Sequence, residues 1–426
     1  MNEESVIHPP QSAKLSPLTK LSWWESIKQQ ADSDAAKTAF GAWLALRCYC
    51  TLIGTALYFI LPANFSRSAL QVVFGSQPAS CPQYVASAVG LNGALAGMWL
   101  RWDTPWYLEI AAHGYTCYGT SAFMPLYPLL ICGLGFLTGD NLLAAALLIS
   151  SVASFLAFYL LYQLARELTG STEIARASVV ALAIFPVAFF LMAGYTEALF
   201  LALAIGAYLA ARRERWLLAG GLAALATLTR LQGMLLLAPL GLELLLAQRS
   251  RLKDWRPWLA LLLAPAALAL FVVFIRLTQG LSLPWEPLSS ARGSWHLHYV
   301  WPWQGILADL GALIAQPDVG TLLSFKLFDP LSAVLFAVCT ALAFRRLNLP
   351  LAVFMAVMWL SSVIKVTSDG DTTSISRYML ALFPAFIVLG MLVARWPRFA
   401  RLGIGIVSGM LLSVYLFIFL IWGWVA

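Results

Sequence analysis

The run Arg101-Trp102-Asp103-Thr104-Pro105-Trp106-Tyr107-Leu108-Glu109-Ile110-Ala111-Ala112-His113-Gly114-Tyr115 is the densest mixture of ionisable and aromatic side chains in the chain. Two roles suit its first carboxylate. Asp103 or Thr104 would cap a helix that starts at Pro105. The same Asp103, partly desolvated beside Trp102, would act as a general base. Trp106, Tyr107 and Ile110 would then face the membrane interface or a bound substrate, and His113 is a second candidate for orienting an acceptor.

Three later segments set ionisable groups at the ends of apolar stretches: Tyr195-Thr196-Glu197, Thr229-Arg230-Leu231-Gln232-Gly233, and the loop from Lys365 to Arg377-Tyr378. An uncompensated charge at the hydrocarbon edge costs roughly 2.5–3.5 kcal/mol on insertion scales, so each of these groups needs a partner or a wet cavity. Glu197 and Arg230 could pair with each other, or Arg230 could offer its planar donors to a phosphate. Arg377 repeats that logic. Asp369 and Asp371, separated by one glycine, are weak metal candidates, because solvated carboxylates in a turn are the commoner arrangement. No cofactor is required by this chemistry, since two arginines can replace the charge of a divalent metal. Trp285, Trp295, Trp301 and Trp303 serve as interfacial anchors or as stacking platforms for a sugar ring.

These residues need a scaffold, and composition names its kind. The 426 residues are 61% hydrophobic and only 11% charged, against about 25% charged in an ordinary soluble domain. A soluble globule is excluded, and an all-α polytopic membrane protein remains. The net charge of +7 comes with short basic clusters between apolar stretches: Arg166/Arg176, Arg212/Arg213/Arg215, Arg249/Arg251/Lys253/Arg256, Arg345/Arg346 and Arg395/Arg398/Arg401. The positive-inside rule explains these without nucleic acid. Together with four N-terminal lysines they are assigned to the cytoplasm. Spans are expected near 41–62, 141–165, 177–193, 196–211, 216–230, 231–247, 258–277, 321–344, 350–364, 378–394 and 402–424, about eleven crossings. The stretch 122–138 is expected to be a re-entrant or surface-lying helix.

This organisation gives a polar N-terminal segment, residues 1–40, without a cleavable signal and expected to form a helix on the cytoplasmic membrane surface. A single transmembrane domain follows over 41–426, with the first outer loop at 63–121. The chemistry-bearing segments then share the outer face. Cys81 and Cys117 lie in that first loop and would pair in an oxidising compartment if their Cα atoms approach within about 7 Å. Cys48, Cys50, Cys132 and Cys339 sit in apolar stretches, where an inert thiol is the default.

Taken together, Trp102-Asp103, Trp106-Tyr107, Ile110-Ala111, Gly114-Tyr115 and the Phe123–Pro128 run resemble the signature of the PIG-V family. Those proteins are the second mannosyltransferases of glycosylphosphatidylinositol assembly and their prokaryotic relatives, within the GT-C class of membrane glycosyltransferases. Phe185-Pro186, Tyr195-Thr196-Glu197, Thr229-Arg230-x-Gln232-Gly233, Ser376-Arg377-Tyr378 and Phe383-Pro384 resemble its later motifs in the same order. The family often has histidine where this chain has Arg101, and asparagine where it has Gln232.

The resemblance implies a GT-C-like bundle that moves mannose from a polyprenyl-phosphate-linked donor to a lipid or glycan acceptor on the non-cytoplasmic face, among membrane lipids, by an inverting displacement. A prokaryotic plasma membrane is the expected setting. Asp103 would be the base, Arg230 and Arg377 would hold the donor phosphate, and Trp102, Trp106, Tyr107, His113, Tyr195, Glu197, Gln232 and Tyr378 would bind or orient substrate. The rival reading is a transporter or flippase of a lipid-linked or small polar substrate. Against it stand the collection of ionisable residues at one face and the absence of a visible repeat.

Overall fold

The computed structural model describes residues 17–61, 90–247, 249–290, 295–315, 325–368 and 370–425, with side chains from Asp32 onward except at 90–92, 247, 249, 251 and 325. Cys81 and Asp369 therefore lie outside the described residues.

Among the described residues five helices are long and apolar enough to cross a membrane: Asp32–Ile60, Leu142–Thr169, Trp255–Gln279, Lys326–Arg346 and Arg398–Leu420. The chain is a multi-pass, all-helical membrane protein. Local sequence sets the limits of these helices. Asn141 accepts the Ala144 N–H at 3.0 Å to open the second, and Gly170, at φ 68°, closes it. Glycine takes that left-handed conformation without a Cβ penalty. Ser171 then caps the Thr172–Ala183 helix at once.

The first helix is continuous from Pro17 to Ile60, so the junction expected at residue 40 falls inside it.

The other expected crossings are shorter helices continued by irregular backbone. The helix expected over 177–193 stops at Ala183, just ahead of Phe185-Pro186, because proline disfavours helical backbone before it. From Val187 to Thr196 the chain runs as short turns, every residue of it buried. Irregular backbone at membrane depth is tolerated only inside protein, and here it delivers Glu197 to the start of the Glu197–Arg212 helix. Similarly, the expected 231–247 span is a 3-10 turn, a short α-helix and a wide π-turn in succession.

The 122–138 stretch forms the Leu126–Gly135 helix and a closing turn. Ten residues rise only about 15 Å, half of the hydrocarbon thickness, so this helix does not cross by itself. Its exposed apolar side chains, Leu129, Phe136 and Leu137, suit a lipid-facing position.

A two-stranded antiparallel ribbon joins two loops: β1 (His298–Tyr299) pairs with β2 (Lys365–Val366), Tyr299 opposite Lys365. This ribbon and the Asp103–His113 helix meet around one cavity.

Candidate active site

The Asp103 helix begins two residues earlier than the capping pattern suggests. Its first residue is Asp103, and Trp102 precedes it at φ 48° without a side-chain cap. Neither Asp103 nor Thr104 caps a helix starting at Pro105. Thr104 donates instead to the Gly194 carbonyl at 3.4 Å, and the Asp103 carboxylate is used elsewhere. A positive φ on so bulky a residue is a backbone outlier that persists only when its surroundings over-determine it.

Those surroundings are visible. The Tyr195 hydroxyl accepts the Asp103 N–H at 3.1 Å and donates to the Arg101 carbonyl at 3.3 Å, bracketing Trp102. The Trp102 ring packs edge-on against Trp424 and Trp422, at centroid distances of 5.0 and 5.9 Å. Arg101, buried, donates to the Leu420 carbonyl at 2.9 Å and lies 4.5 Å from the Trp422 ring.

The strained turn presents Asp103 to Arg377. Arg377 Nη2 is 2.7 Å from Asp103 Oδ2, and Arg377 Nε is 2.5 Å from Glu197 Oε1. Arg230 Nη1 bonds the same Glu197 oxygen and also donates to Thr196 Oγ1 at 3.2 Å. Two carboxylates and two guanidiniums form one network. Glu197 is only 3% exposed, Arg377 8% and Arg230 9%, whereas Asp103 retains 17%. Burial opposes the charge on Arg377, but Glu197 and Asp103 outweigh it and hold the guanidinium firmly protonated. Arg377 in turn is fixed by Asp329, whose carboxylate accepts the Ile375 and Ser376 N–H groups at 2.8 and 2.9 Å. Sequence reasoning missed Asp329, although a carboxylate inside an apolar helix is the signal that could have found it.

Asp103, Arg230 and Arg377 lie on the wall of a cavity of about 690 Å³. Trp102, Trp106, Tyr107, Gln232 and Tyr378 line it as well, with Trp285, Trp295, Lys365 and Trp424. Aromatic contacts build the walls: Trp106 stacks on Phe123 at 5.7 Å and tilts against Trp295 at 5.6 Å. The tight turn that aims Arg230 depends on Gly233, where a Cβ would stand 2.3 Å from the Thr227 backbone nitrogen.

Three candidates behave differently from expectation. His113 sits ten residues along the helix from Asp103, about 15 Å away, where its Nδ1 is 2.9 Å from the buried Glu109; it does not line the cavity. Tyr195 lies behind the wall and supports the Trp102-Asp103 turn. Glu197 also lies behind the wall, holding both arginines. Lys365 and Trp424, without a role in the sequence reading, are brought to the site by the fold from distant segments.

Asp371 is ion-paired with Lys326 at 3.0 Å. Among the described residues no group of three His, Cys, Asp or Glu side chains could hold a metal ion. Cys117 is disulfide-bonded; Cys81, its expected partner, lies outside the described residues.

A family model described as Mannosyltransferase (PIG-V) matches residues 45–278 of this chain, more than half of its length. The chain belongs to this family. The matched residues include Asp103, Glu197 and Arg230, whereas Arg377 and Tyr378 lie beyond them. Among characterised relatives, the GPI alpha-1,6-mannosyltransferase 2 of Mus musculus is 33% identical over 211 residues, 47% of this chain and 43% of the mouse protein. The GPI mannosyltransferase 2 of Schizosaccharomyces pombe is 29% identical over 140 residues, 32% of this chain and 30% of its own. The alignments thus span less than half of either relative. A solved structure of ArnT from Cupriavidus metallidurans bound to undecaprenyl phosphate aligns with a TM-score of 0.46 and 15% identity, over 83% of this chain and 63% of that one.

Proposed function

We propose that this protein is a membrane mannosyltransferase that moves mannose from a polyprenyl-phosphate carrier to a lipid or glycan hydroxyl on the non-cytoplasmic face. Membership of a mannosyltransferase family supports the sugar. The position of the cavity, among segments that the basic clusters assign opposite the cytoplasm, supports the side of the membrane. The observation that carries the mechanism is the ion network of Asp103, Arg377, Glu197 and Arg230 on an aromatic cavity.

The aromatic walls receive the sugar by stacking. The acceptor oxygen attacks the anomeric carbon, the bond from that carbon to the donor phosphate oxygen breaks, and the phosphate leaves with the electron pair. Asp103 takes the acceptor proton, and the configuration inverts. At rest the four ionic groups sum to zero. Once Asp103 is protonated they carry one net positive charge, at the moment when the departing phosphate gains a negative one. The base and the leaving group are thereby coupled through Arg377. Arg230 contributes from the other side, since Nη1 alone is engaged by Glu197 and Thr196. Fixed donors in a low-dielectric cavity stabilise developing charge without reorganisation.

The test is transfer of tritiated mannose from polyprenyl-phosphate mannose to membrane lipids and glycans in proteoliposomes, comparing wild type with Asp103→Asn. A labelled product made only by wild type is expected. An Asp103→Asn protein that turns over like wild type would overturn the base assignment, and a wild type that binds donor yet transfers nothing to any acceptor pool would overturn the mannosyl reaction.

A further inference from the structure

The cavity contains a third cation that the ion network does not use. Lys365, half-buried in β2, lines the cavity beside Arg230 and Tyr378. Its Nζ lies 5.3 Å from the centre of the Tyr378 ring, and Arg230 Cζ lies 5.4 Å from the same ring. No carboxylate among the described residues is within ion-pair distance of Lys365. The contrast with Lys326 in the same part of the fold, which has Asp371 at 3.0 Å, is direct. A half-buried ammonium without a counter-ion is costly unless an anion arrives.

Two hydroxyls point to the same ligand chemistry. Thr367 and Thr373 both line the cavity on the loop that follows Lys365. The Oγ1 of each is buried and finds no hydrogen-bond partner among the described residues, and Thr373 is only 7% exposed. Buried hydroxyls are almost always partnered. A cation and two unpaired hydroxyls on one wall, with Arg230 on another, make a set of donors suited to the several oxygens of a phosphate. Arg377 is less available for that task, because Nε and Nη2 are held by Glu197 and Asp103.

We propose that Lys365, with Thr367 and Thr373, binds the phosphate of the lipid-linked donor. The proposal rests on the transferase reading for the identity of that donor. It makes Lys365 the principal electrostatic anchor of the donor and leaves Arg377 to hold Asp103. β1 opposite it, with Tyr299 on the cavity wall, fixes the strand that carries the lysine.

The experiment is a binding titration of the full chain in nanodiscs, read by tryptophan fluorescence, with undecaprenyl phosphate and the uncharged alcohol undecaprenol as probes. Lys365→Met should weaken undecaprenyl phosphate by at least about tenfold, the loss of a charge-assisted contact, and leave undecaprenol unchanged. Lys365→Arg should recover most of the affinity, and Thr373→Val should show a smaller loss in the same direction. In turnover assays Lys365→Met should raise the donor KM far more than it lowers kcat. Unchanged binding of undecaprenyl phosphate by a folded Lys365→Met protein would overturn the proposal, as would equal weakening of the phosphate and the alcohol. If wild type binds undecaprenyl phosphate in a Lys365-dependent way but transfers no mannose, the transferase reading falls and the phosphate site stands.

Discussion

The Asp103 carboxylate lies 2.7 Å from the Arg377 guanidinium, joining the Asp103–His113 helix to the short Ile375–Met379 helix far along the chain. Arg377 is held from two sides, by Asp103 and by Glu197.

Arg377→Lys should keep the charge and lose the function. A lysine is a point donor that cannot bond Asp103 and Glu197 with the geometry of a planar fork. We expect kcat to fall by roughly a hundredfold, in the range seen when one donor to developing charge is lost. Steady-state transfer assays check it; a lysine variant with wild-type kcat would remove Arg377 from the mechanism.

Glu197→Gln should act mainly on the fold. It leaves Arg230 and Arg377 buried without their shared carboxylate, and breaking a buried ion pair costs about 3–5 kcal/mol. The expected result is a clear drop in the thermal midpoint of the detergent-purified protein, larger than the drop for Asp103→Asn, whose carboxylate is the most exposed of the four.

Tyr195→Phe removes one hydroxyl that accepts from Asp103 N and donates to Arg101 O. Two hydrogen bonds at about 1 kcal/mol each hold the strained Trp102 backbone in place. A loosened turn should lower kcat about tenfold or more, with the donor KM little changed. A fall in donor affinity alone would show that Tyr195 binds substrate after all.

Asp309, in the Gln304–Ala315 helix, titrates far from the ordinary aspartate range. Burial pushes its carboxyl up to about 7, against hydrogen bonds from Thr372 that favour the charged form. The folded state therefore holds this proton between about pH 4 and pH 7 while the unfolded chain does not, so stability falls as pH rises through that window. Thermal melts from pH 5 to pH 8 should show a downward slope in wild type that is shallower in Asp309→Asn; identical slopes would exclude Asp309 as its source.

Much of this architecture was legible in the sequence, for physical reasons. Apolar length and basic clusters marked the helices, and ionisable residues at apolar ends marked Glu197, Arg230 and Arg377, because a charge there must find a partner. That rule offered a Glu197–Arg230 pair as one of two readings, and the structure forms it. The contact between Asp103 and Arg377 does not, because nothing local to either residue encodes a meeting of segments so distant in the chain. The helix starts at Asp103 and not at Pro105 because Trp102 takes a positive φ contrary to local preference, a turn that Tyr195, Trp422 and Trp424 hold in place. His113 shared a dense motif with Asp103, but the rise of the helix carries it out of reach. Lys365 stood in view without a role, since its lack of a carboxylate is a property of the folded molecule alone.

The order of the four ionic groups along the polypeptide also constrains biogenesis. Asp103 is synthesised first, Glu197 and Arg230 follow in adjacent helical segments, and Arg377 comes last. The four-group cluster thus carries one uncompensated negative charge until Arg377 is made, and it reaches electrical neutrality only when that last member joins it.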